Sequence, residues 1–103
     1  MRDNLTLDGV IVALCLDYER RKSAIEEKSF RRRTLMEYDY INKRIYEAAA
    51  EVVGEADAEL YIAEIGEKIG YAKSGAPLIS EVSYKRKKSE VKRNIALKLH
   101  LTD

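Results

Sequence analysis

The sequence predicts an all-α chain, and three observations carry that prediction. Apolar residues recur at helical spacing through four segments. No stretch sustains the period-two alternation of a half-buried strand. No glycine or proline interrupts the chain between Gly9 and Gly54. At 103 residues the length suits a single domain, residues 1–103, and the 46% apolar content argues against disorder. The 36% charged content is above the usual quarter and implies thin helices with wide solvated faces.

The first segment follows the cap candidates Asn4, Thr6 and Asp8, with Leu7, Val10, Leu14, Tyr18 and Ile25 as its stripe. Ile11 widens that stripe. Between Glu26 and Arg33 the apolar pattern thins to Phe30. Residues 5–54 are therefore either one very long helix or a helical hairpin broken near Ser29–Thr34. The capping-box form Thr34-Leu35-Met36-Glu37 favours the break, although Ser23-Ala24-Ile25-Glu26 has the same form. The second segment runs from about Leu35 to Val53 on Leu35, Tyr38, Ile41, Ile45, Ala48/Ala49 and Val52. Gly54 stands where a terminating glycine belongs.

The third segment opens on acidic residues at Asp57 and Glu59, which suit a helix N-terminus. Ala58, Tyr61, Ile62, Ile65 and Ile69 form its stripe, and Gly70 is expected to end it. Gly66 in mid-helix disfavours the helix by about 1 kcal/mol relative to Ala. Its presence implies a second helix crossing closely there. Residues 71–79 read as loop. Ser80 or Ser83 caps a fourth helix carrying Tyr84, Val91, Ile95 and Leu99 on its apolar side.

Charge is distributed unevenly. Residues 34–67 hold two Lys/Arg against nine Asp/Glu, a net −7, whereas residues 68–103 hold nine against three, a net +6. The basic density peaks at Tyr84-Lys85-Arg86-Lys87-Lys88. Cations near a helix N-terminus oppose the helix dipole, and an anionic partner removes that penalty. Duplex DNA is such a partner, because each neutralised phosphate releases counterions. A short helix, a turn and then a cationic helix over residues 57–100 is also the order of a helix-turn-helix. The opposing reading pairs the basic helix with the acidic stripe of Glu47, Glu51, Glu55 and Glu59, making the chain a helical assembly or adaptor protein. A second basic group, Arg20-Arg21-Lys22 with Arg31-Arg32-Arg33, reads as a solvated polar face balanced by Glu19, Glu26, Glu27 and Glu37.

Glu64-Ile65-Gly66-Glu67-Lys68-Ile69-Gly70-Tyr71 resembles the first helix and turn of sigma-factor region 4 helix-turn-helices. The basic phrase at 84–88 followed by Val91 and Ile95 is similar to the second helix of small regulators encoded by phages and prophages of Gram-positive bacteria. The likeness covers about residues 58–100. It departs from that family in the connection, where nine residues separate Gly70 from Ser80 and a compact turn uses 3–4. The resemblance implies a DNA-binding transcriptional regulator, sequence-specific or general. Ser83, Lys85, Arg86, Lys87 and Lys88 would read at the helix start, with Lys92 and Arg93 on phosphates.

Other chemistries find little here. Cys15 has no partner for an internal disulfide and sits in the apolar run Val10–Leu16, which is too short to span a bilayer. His100 has no companions for a metal site, and Glu47, Glu51 and Glu55 lack a facing acid/base or metal set. Tyr18, Tyr38 and Tyr61 fall on core stripes and are expected to pack there rather than stack on bases. We therefore expect no enzyme activity, no cofactor, no metal and no membrane partner. The expected protein is cytoplasmic and homo-oligomeric, a dimer bound to DNA.

Overall fold

The computed structural model describes residues 2–28, 30–76 and 79–102, with side chains from residue 7 onward. Its elements are α1 (Arg2–Leu16), α2 (Tyr18–Glu27), α3 (Arg32–Val53), α4 (Glu55–Gly66) and α5 (Glu81–Lys98), with a 3-10 turn at Tyr71–Lys73 before α5. No strand occurs among the described residues. Ser29 of the expected break, Pro77 and Leu78 of the expected loop, and the side chains of Asn4 and Thr6 lie outside them.

The long-helix alternative for residues 5–54 does not hold: the segment is divided twice. Asp17 separates α1 from α2, a division that the uninterrupted apolar pattern does not signal. The second break comes after Glu27, where Lys28 turns left-handed at φ 53°. The start of α3 precedes the capping-box position: Arg31 is its N-cap without a side-chain bond, and Thr34 lies inside the first turn. Gly54 alone joins α3 to α4. Its φ of 89° and ψ of 159° fall in a region essentially reserved for glycine, so it is a hinge rather than the left-handed cap expected.

α3 is the central element. It packs along α2, α4 and α5, while α1 lies against α4 and touches α5. α4 and α5 themselves meet only sparsely. One core draws on all five helices, through Ile11 and Cys15, Tyr18, Ile45 and Ala48, Ile62 and Ile65, and Val91 and Ile95. The radius of gyration is 13.8 Å, close to the roughly 13 Å of a compact 100-residue domain.

The stripes of α4 and α5 are buried much as their periodicity indicates, whereas that of α3 is buried only from Ile45 to Ala49, with Leu35 and Tyr38 left partly exposed. That of α1 is shifted in phase. Val10 is 40% exposed, and the buried line is Ile11, Cys15 and Tyr18 at i, i+4, i+7. A run of seven consecutive apolar residues offers both phases, and packing chooses between them.

Gly66 is the contact point of two helices. A Cβ built there would lie 2.5 Å from the Leu16 backbone nitrogen and 2.8 Å from the Cys15 carbonyl carbon. The close crossing inferred from this glycine is present, and α1 is the helix that crosses. α4 then ends at Gly66, a turn earlier than expected, and Gly70 is not its terminator. Lys68 takes the left-handed position at φ 57°. The Ile69 N–H reaches the Glu64 carbonyl at 2.9 Å and the Lys68 N–H reaches that of Ile65 at 3.3 Å, the paired bonds of a Schellman ending. α5 ends the same way through His100, with Leu101 bonded to Ala96 at 2.8 Å.

Candidate functional site

The basic helix begins with a side-chain cap on one of its free backbone donors. Ser80 is the N-cap, its hydroxyl accepting the Ser83 N–H at 3.1 Å, and Glu81 supplies an acid to the first turn. Ser83 is thereby the third helical residue, and its hydroxyl lies 3.0 Å from that of Ser80. These two groups offset the dipole penalty that the run of cations suggests. What bears on an anionic partner is therefore where the cations point.

Helical geometry divides them into two sets. Tyr84, Val91 and Ile95 define the buried side. Lys88 stands on its edge, half-buried, with its ammonium 2.7 Å from the Ile69 carbonyl and 5.2 Å from the centre of the Tyr84 ring. Burial lowers its pKa, and the nearby Lys92 lowers it further. Lys92 bonds Asp8 of α1 at 3.1 Å, and Lys98 pairs with Glu51 of α3. These three cations hold α5 to the rest of the chain.

The second set faces solvent. Arg86 and Arg93 are exposed, seven residues apart and therefore on one line of the helix, with Ser89 between them. Neither has a hydrogen-bond or ion-pair partner among the described residues, and the same is true of the half-buried Lys87. Lys85 pairs with Glu81 of its own helix at 2.8 Å. Both groups of that pair are more than half exposed, so it contributes little and yields readily to a competing anion. Sequence reasoning thus grouped seven residues that the fold separates. Lys88 and Lys92 have structural partners, Ser83 sits in the cap, and Lys85, Arg86, Lys87 and Arg93 have no partner outside α5 among the described residues.

What aims α5 is a carboxylate to which the sequence reading gave no role of its own. Glu64 is 5% exposed, on α4. Its Oε1 accepts the Ser74 and Tyr84 hydroxyls, each at 2.6 Å, and its Oε2 accepts the Gly75 N–H at 2.7 Å. Burial works against the charge. The bonds from Ser74, Tyr84 and Gly75, with the ammonium of Lys88, nonetheless keep its pKa below the ordinary carboxylate value. The same contact, after burial itself, pushes the Tyr84 hydroxyl up to about 12. Tyr84 also packs between Tyr61 and Tyr71, with ring centres 5.7 and 5.8 Å away. Glu64 therefore fastens the segment joining α4 and α5 to both of its ends. A Glu next to Ile65 and one turn from Tyr61, on a stripe about to be buried, was the available signal.

The second basic group is also divided. Arg21 is buried, its Nε donating to Asn42 Oδ1 at 2.7 Å and its guanidinium reaching the Leu14 carbonyl where α1 ends. Asn42 in turn donates to the Tyr18 carbonyl at 3.0 Å. Arg20 bonds Asp17 and stacks on Tyr38, and Lys22 pairs with Glu59 at 2.9 Å. The solvated-face reading does not apply to Arg21, because Tyr18, Arg21 and Ala24 form the buried side of α2. Of the acidic stripe, Glu51 accepts Asn94 and Lys98 of α5, and Glu59 accepts Tyr18 and Lys22 of α2.

Cys15 is buried, and burial pushes its thiol up to about 12, away from nucleophilic chemistry. No group of His, Cys, Asp and Glu among the described residues could hold a metal ion, and none of their helices is long and apolar enough to cross a membrane. Compared with known protein families, with curated proteins and with solved structures, the chain matches none.

Proposed function

We propose that this protein binds DNA through the outward face of α5. The observation that carries the proposal is the pair Arg86 and Arg93, two exposed guanidinium groups on one line of a helix whose inner cations are already engaged. Arginine suits both phosphates and guanine edges because its planar fork donates two parallel bonds. Ser89 between them is small enough to admit a nucleic-acid backbone. Lys85 and Lys87 add charge at the helix start, where recognition helices commonly contact bases. A transcriptional role of the phage-regulator kind rests on the sequence resemblance of residues 58–100. The connection over residues 67–80 is longer than a compact helix-turn-helix turn, and Glu64 supplies the rigidity that a short turn would otherwise provide.

Filter binding of random duplex DNA at two salt concentrations tests this reading. Arg86→Ala with Arg93→Ala should weaken binding and reduce the salt slope by about 0.9 for each phosphate that is no longer neutralised. An unchanged affinity and slope would overturn it.

A second reading, a helical assembly protein without nucleic-acid function, draws on Lys92–Asp8 and Lys98–Glu51, where basic residues of α5 serve the fold itself. It requires that the unaltered protein show no DNA binding even at low salt.

A further inference from the structure

Among the described residues, the outer face of α3 is covered by no other element. Arg32, Met36, Tyr40, Lys43 and Glu47 follow one another along it at helical spacing, all exposed. Met36 is 64% and Tyr40 46% exposed, and both residue types are enriched where proteins meet. The charges run in order. Arg32 opens the face, Met36 and Tyr40 occupy its middle with the Arg44 guanidinium 5.4 Å from the Tyr40 ring centre, and Lys43 and then Glu47 close it.

We propose that this face binds the same face of a second copy, with the two α3 helices antiparallel about a two-fold axis beside Asp39 and Tyr40. In that arrangement Arg32 lies opposite Glu47 of the second copy and Met36 lies along the aliphatic stem of Lys43. Both contacts repeat on the other side of the axis, as an isologous interface requires. A parallel pairing would set arginine against arginine and glutamate against glutamate, so charge selects the antiparallel one. The groups are available. Arg32 has no partner among the described residues, and Glu47 has only Arg44 at 3.6 Å. Lys43–Asp39, at 3.0 Å, is an exposed pair within one helix that re-pairs at little penalty. From Arg32 to Glu47 the seam is about 22 Å long at 1.5 Å per residue. The proposal is independent of the nucleic-acid reading, since α3 and the outward face of α5 share no residue.

Sedimentation equilibrium over a concentration series, with circular dichroism to verify folding, tests it. Arg32→Glu with Arg33→Glu should weaken self-association by about tenfold or more, as should Glu47→Lys alone. Mixing the two variants should restore a dimer, seen as the heterodimer by native mass spectrometry. In a Cys15→Ala background, Tyr40→Cys should form a disulfide-linked dimer on oxidation and Arg32→Cys should not. A protein monomeric at every concentration, self-association untouched by both charge variants, or equal cross-linking at Arg32→Cys, the mark of a parallel pair, would each overturn it.

Discussion

The Tyr84 hydroxyl donates to the Glu64 carboxylate at 2.6 Å, joining the first turns of α5 to the last turn of α4 across twenty residues of sequence. Both groups are buried, and every bond that Glu64 accepts comes from the connecting segment or from α5. Removing the charge while keeping the shape, by Glu64→Gln, is expected to destabilise the fold by about 2 kcal/mol, the usual contribution of hydrogen bonds to a charged group. The pH dependence follows in sign. A carboxylate whose folded pKa is depressed adds stability above its unfolded pKa of about 4.3 and loses it as pH falls through the folded value. Urea melts across pH 3 to 7 should therefore show a shallower acid limb in Glu64→Gln than in the parent. The difference between the two proteins isolates Glu64 from Glu51 and Glu59, which are depressed by Lys98 and Lys22.

Gly66 meets the backbone of Leu16, which cannot move aside as a flexible side chain can. Gly66→Ala should cost about 3 kcal/mol, the upper end for overpacking, despite alanine's better helix propensity. A thermal melt lowered by roughly 10 °C or more would be the readout in a domain of this size. An unchanged or raised melting temperature would mean that α1 does not cross there.

Arg21 and Asn42 form a buried polar pair between α2 and α3. Asn42→Leu alone leaves the buried Arg21 Nε without an acceptor, the Leu14 carbonyl being the one partner left to the guanidinium among the described residues. It should destabilise by about 3 kcal/mol, as breaking a buried charged contact does. Arg21→Met combined with Asn42→Leu should recover much of that loss, because an apolar pair leaves no buried charge unpaired. A double-mutant cycle in urea measures the coupling, and simple additivity would contradict the pairing.

Two residues with positive φ should respond in opposite directions. Lys68 occupies the left-handed site that ends α4, so Lys68→Gly should stabilise by about 1 kcal/mol, the strain relieved. Gly54 occupies a conformation that other residues avoid, so Gly54→Ala should destabilise by about 1–3 kcal/mol. Chemical denaturation of both variants checks the two signs together.

The helices were legible because their information is local. Tyr61, Ile62 and Ile65, or Tyr84, Val91 and Ile95, announce a buried face through spacing alone, and Gly66 announced a crossing because a mid-helix glycine needs a reason. The phase of α1 was not legible, since consecutive apolar residues from Val10 to Leu16 permit more than one buried line. The ends of α2, α4 and α5 were obscured for a related reason: Lys28, Lys68 and His100 occupy left-handed positions where glycine was the natural expectation.

The candidate site divides along the same boundary. The chain's own pattern was sufficient to mark residues 84–93 as basic and helical, because charge and periodicity are properties of neighbours in sequence. Which of those cations are occupied was decided in three dimensions. Lys88 finds the Ile69 carbonyl, Lys92 finds Asp8 and Lys98 finds Glu51, each partner at least 19 residues away. Arg86 and Arg93 face outward only because Val91 and Ile95 are packed into a core built by all five helices, with Tyr84 buried beside Tyr61 and Glu64. Burying one side of a helix is what assigns a direction to the other, and that assignment belongs to the fold.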